Sequence, residues 1–87
     1  MYLVEMIAKS SAVASRQAPD TAVGLREYIW VCGVNDRRFE VTHLGQNRFI
    51  VKTSNRRLAE LIHQKVQRVF HVDPVRTEGF ERTRIRV

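Results

Sequence analysis

Between Arg38 and Phe70 the hydrophobic positions change their spacing from two residues to three and four, and that change predicts the two main elements of the chain. Phe39, Val41 and His43 alternate with Arg38, Glu40 and Thr42, the pattern of a strand with one covered face. Gly45-Gln46-Asn47 then offers a turn, because Gly and Asn tolerate positive φ. A three-residue loop pairs Leu44 with Arg48, His43 with Phe49 and Val41 with Val51, and puts Phe39, Val41, Phe49 and Val51 on one dry face. A two-residue loop would turn Phe49 away from Phe39 and Val41, so the hairpin over 38–53 is expected to use three.

From Ser54 the period becomes helical. Leu58, Leu61, Ile62, Val66, Val69 and Phe70 form one stripe, and the spacing predicts a helix over 54–70. Ser54 or Asn55 can cap its first turn, but neither has Glu or Gln three positions on. Asp73-Pro74 cannot continue it.

The flanks read less sharply. Residues 1–8 are expected to be a strand with apolar side chains on both faces, hence well covered. Residues 9–20 are polar, small and interrupted by Pro19, which predicts a loop. Over 20–34 two patterns compete. Ala22, Leu25, Ile29 and Cys32 fit a helix stripe capped by Asp20, whereas Tyr28-Ile29-Trp30-Val31-Cys32 has strand-forming residues. The second is preferred, with a helical turn at 20–25 and a strand at 26–34; the first gives βαββαβ, a ferredoxin-like order. Beyond Gly79, Phe80, Arg82, Arg84 and Arg86 alternate with Glu81, Thr83, Ile85 and Val87, as in a terminal edge strand with its arginines about 7 Å apart. Either way the chain is α+β: a small antiparallel sheet of three or four strands packed by one main helix in the C-terminal half, in a single domain spanning 1–87.

Eighty-seven residues, 44% hydrophobic and 28% charged, suffice for one globular core. One cysteine, Cys32, allows no internal disulfide and suits a reducing, cytoplasmic setting. No signal peptide and no run of about 18 apolar residues is present, so no membrane partner is expected. The net charge of +6 is unevenly placed. Residues 1–35 balance three cations with three carboxylates, while 36–87 hold twelve Lys or Arg against six Asp or Glu. Twelve of the fifteen cations are Arg, whose planar fork pairs with phosphate or carboxylate.

This surface makes a nucleic-acid-binding domain, DNA or RNA, the expected function. Arg37, Arg38, Arg48, Lys52, Arg56, Arg57, Arg82, Arg84 and Arg86 are the candidate backbone contacts. Arg56 and Arg57 oppose the dipole at a helix start, a cost of about 0.3–1 kcal/mol each when exposed, or else meet an anion there. Trp30 and Tyr28 are expected in the core; on an open face they would stack on bases. The alternative is a protein-binding module, an adaptor, linker or phage-type inhibitor, that sets its basic face on an acidic partner and adds its RTRIRV edge to a partner's sheet. The order strand, hairpin, helix, strand, with Phe49-Ile50, Asn55-Arg56 and Glu60, is faintly similar to the small basic linker domains of phycobilisomes over about half the chain. It departs from them where Phe70-His71-Val72 replaces their Gly-Gly segment, and identifies no family.

No phosphate loop, nucleophile elbow or paired ligand spacing is visible, so neither an enzyme nor a cofactor is expected. His43, His63 and His71 lack metal-site spacing, and Cys32 sits among apolar neighbours. Self-association is open to a chain this small with a two-faced strand.

Overall fold

The computed structural model describes residues 1–78. Its elements run β1 (Tyr2–Ala8), α1 (Ser10–Ala14), α2 (Ala22–Val31), β2 (Glu40–Gly45), β3 (Arg48–Thr53), α3 (Arg56–Lys65) with a 3-10 turn at Val66–Arg68, β4 (Phe70–Val72) and β5 (Arg76–Thr77). The antiparallel sheet has the order β2-β3-β1-β4, and β5 also pairs with β1. β1–α2–β2 and β3–α3–β4 are thus two crossovers, each skipping one strand, in the ferredoxin-like arrangement. The expected three- or four-stranded sheet is extended to five: β4 forms where the helix was expected to end, β5 is a two-residue strand reached past Pro74, and the terminal edge strand expected over 80–87 lies outside the described residues.

One apolar cluster joins the inward side chains of β1 (Val4, Met6, Ala8) and β3 (Phe49, Val51) to Leu25 and Ile29 of α2 and to Leu58, Ala59 and Ile62 of α3. Both long helices therefore cover the same sheet face. Leu3, Glu5, Ile7, Arg48, Ile50 and Lys52 line the other, following the cross-strand register.

Residues 20–34 overturn the preferred reading, because they form a helix and not a strand. Thr21, not Asp20, caps it: its Oγ1 accepts from Gly24 N–H at 2.9 Å. The far end closes in a Schellman motif, with Gly33 N–H donating to Trp30 O (2.9 Å) and Val34 N–H to Ile29 O (3.3 Å), and with Gly33 at φ 102°. Burial follows the helical period: Leu25 and Ile29 are fully buried, while Val31 is exposed. The β-branched run yields because packing overrides propensity. The expected loop at 9–20 likewise contains α1, which Arg16 ends at φ 60°.

The hairpin keeps the expected faces with a different tip. His43 faces Phe49 and Val41 faces Val51, but Gly45, not Leu44, pairs with Arg48. The turn is therefore two residues, Gln46 and Asn47, both at positive φ, and a bulge between His43 and Gly45 takes up the extra residue. A bulge restores the parity that a two-residue loop alone would break.

Helix α3 stops at Lys65, short of the expected Phe70, because Val69 and Phe70 are buried on leaving the helix and Phe70 begins β4. Asn55 is its cap, accepting from Leu58 N–H at 3.2 Å. Leu61 leaves the expected stripe: it is 37% exposed, and Ala59 takes its place inside. Among the described residues no helix is long and apolar enough to cross a membrane.

Candidate nucleic-acid interface

Five of the nine candidate cations meet at one end of the sheet. Arg37 and Arg38 lead into β2, Lys52 lies near the end of β3 opposite Glu40, and Arg56 and Arg57 open α3. Thr53 ties this end together: its buried Oγ1 donates to Arg38 O (2.9 Å) and accepts from Asn55 N–H (3.1 Å). Arg37, Arg38 and Lys52 line one concavity there of about 320 Å³, with Glu40 and Met1. Arg48 lies at the opposite end of the sheet, beside the hairpin turn. Arg82, Arg84 and Arg86 lie outside the described residues.

Carboxylates answer several of these cations. Arg38 forms a bidentate pair with Asp36 (Nε–Oδ1 3.0 Å, Nη2–Oδ2 2.8 Å), and its guanidinium holds the Asp36 carboxyl down to about 2. The same pairing raises the Arg38 pKa. Arg56 Nε meets Glu60 Oε2 at 3.2 Å, and Lys52 Nζ lies 4.0 Å from Glu78 Oε1. Arg37 stacks over the Trp30 ring at 5.6 Å. Arg26 is committed to structure: it donates to Phe39 O (2.7 Å) and Arg37 O (3.3 Å) and lies over the Phe39 ring. Around α2 and the start of β2, Arg26, Arg37 and Arg38 are balanced by Glu27, Asp36 and Glu40, so that flank carries no excess charge.

The positive excess lies on the solvent side of α3. From Arg56 to Arg68 there are four cations, Arg56, Arg57, Lys65 and Arg68, and one carboxylate, Glu60, already engaged by Arg56. Arg57, Leu61 and Lys65 follow one another at four-residue steps with Arg68 three further on, all exposed. Arg57 and Lys65 are about 12 Å apart along the axis, and about four nucleotides of a duplex strand span that length. Lys65 and Arg68 were absent from the sequence candidates; their spacing from Arg57 was the available signal. Tyr28 lies close to Arg68 in the folded chain, and burial first, then a hydrogen bond with the Cys32 side chain, raises its pKa.

Among the described residues the helix-free sheet face bears Arg48, Lys52, His71 and Arg76 without a Phe, Tyr or Trp, and Arg76 Nη2 is held by Glu5 Oε1 at 2.7 Å. Among the described residues no group of three His, Cys, Asp or Glu could hold a metal. Comparison with protein-family models, curated proteins and solved structures finds no match for this chain.

Proposed function

We propose that this domain binds the phosphate backbone of nucleic acid through the solvent face of α3. The observation that carries the reading is the row Arg57, Lys65 and Arg68, exposed and aligned, on a side of α3 whose one carboxylate, Glu60, is already held by Arg56. Arg57 supports it further, since a cation in the first turn of α3 works against the helix dipole and has no ion-pair partner among the described residues. The contacts are to phosphate, so they give affinity and position, not base sequence.

Four phosphate contacts, including Arg56, predict a strong salt effect. Between about 50 and 200 mM salt the affinity for a labelled oligonucleotide should fall roughly 50- to 150-fold. Lys65→Ala and Arg68→Ala should each weaken binding and flatten that slope, while Arg38→Ala leaves both unchanged. Absence of binding at the lower salt, or affinity indifferent to salt, would dismiss the reading. Leu61, 37% exposed within the row, favours a second reading, an acidic protein surface that uses an apolar contact beside its carboxylates. Copurification of one protein that survives nuclease and is lost in Leu61→Ser would select it.

A further inference from the structure

We propose that two copies of this chain pair through the free edge of β2, with the outward faces of their α2 helices closing over the joint. β2 is the last strand on its side of the sheet, and no described residue pairs with its outer edge. Its six residues hold neither Pro nor Lys, the usual guards of an open edge, and its one bulge lies at the tip. An exposed row of N–H and C=O groups invites another strand.

Helix α2 packs beside β2 and leaves Val23 (67%), Trp30 (52%) and Val31 (75%) exposed. Val23, Glu27, Trp30 and Val31 share one side by helical spacing. That side faces residues 34–39: a groove of about 240 Å³ is lined by Val23, Trp30, Val34, Arg37 and Phe39. The apolar face and the open edge therefore occupy the same flank. Antiparallel pairing about a two-fold axis normal to the sheet is self-complementary and keeps all helices on one side, so the two α2 faces approach each other.

Charge selects the second copy as occupant. The whole chain carries +6, which opposes self-association, yet on this flank Arg26, Arg37 and Arg38 are matched by Glu27, Asp36 and Glu40. Two such flanks meet without net repulsion. A polyanion gains nothing there.

The test is the mass in solution by sedimentation equilibrium from about 5 to about 500 µM. A species of twice 10.2 kDa is expected to fill with concentration. As it does so, the emission of Trp30, the sole tryptophan, should shift to the blue and the β2 amides should exchange more slowly. Trp30→Ala/Val31→Ser, both at exposed positions, should weaken the dimer at least tenfold while circular dichroism stays unchanged. A monomer throughout the range overturns the proposal. So does a dimer that the double variant leaves intact with β2 amides exchanging at the monomer rate. Failure here leaves nucleic-acid binding by α3 untouched, since Lys65→Ala and Arg68→Ala lie outside this flank and should not alter the mass.

Discussion

Asp36 and Arg38 show how far a pair of exposed groups can be organised by two bonds and a backbone turn. Asp36 Oδ1 also accepts from the Arg38 amide at 2.9 Å, so the carboxylate is stabilised in its charged form and its pKa drops from 3.8 to about 2. A lowered carboxyl pKa contributes stability that is complete above the ordinary value and disappears as pH falls from about 4 through about 2. A carboxyl titration by NMR should place the Asp36 midpoint near 2, and Arg38→Met should return it toward 3.8; an unmoved midpoint in the variant would refute the pairing. Thr53 is a different case because it is buried. Thr53→Val keeps its shape and leaves the Arg38 carbonyl and Asn55 amide unpaired, a loss of about 1–3 kcal/mol in urea unfolding. Arg16 ends α1 at φ 60°, where a side chain is strained, with Gln17 N–H donating to Ala12 O at 2.8 Å. Arg16→Gly should therefore raise stability by about 1 kcal/mol; destabilisation would mean that the Arg16 side chain does more than occupy a turn.

At the scale of elements, the hairpin turn is the most tunable feature. Its two central residues both need positive φ, and Asn-Gly meets that need better than Gln46-Asn47. Replacing the pair by Asn-Gly should add about 0.4–1 kcal/mol, read as a higher urea midpoint with an unchanged slope. The alternation of Phe39, Val41, Phe49 and Val51 was legible from the chain, since period two leaves few registers. The bulge was not: a three-residue loop and a two-residue loop plus bulge satisfy the same faces. The α3 stripe was legible in Leu58, Ile62 and Val66 and misleading in Leu61, because positions one residue apart straddle the helix boundary with solvent. Its end was hidden for a physical reason. Val69 and Phe70 are as apolar as helix residues, yet they are buried by a turn into β4. Helix α2 was misread where local propensity and the Leu25–Ile29 spacing disagreed; the Schellman closure at Gly33 was the overlooked signal.

At the scale of the molecule, the sequence placed twelve cations in residues 36–87, but a list along the chain could not say which would be answered by carboxylates. Folding pairs Arg38 and Arg56, spends Arg26 on carbonyls and leaves the α3 face positive. The core is small enough that single residues govern it. A domain of this length has roughly 4–13 kcal/mol of stability. Phe49 is fully buried, stacked by His43 at 4.6 Å and met edge-on by Phe70 at 5.9 Å. Phe49→Ala should cost about 3–5 kcal/mol and remove much or all of the cooperative transition in urea. The central place of β1 has a temporal consequence. Its two neighbours are residues 48–53 on one edge and 70–77 on the other, so during synthesis it emerges well before either. Until then a stretch with apolar side chains on both sides waits without partners, while β2, β3 and α3 can close locally. A nascent chain stalled with Gly45 as its last emerged residue should be cut readily within residues 1–8, and one extended past Thr77 should resist; equal resistance of the two would show that β1 settles without its sheet neighbours.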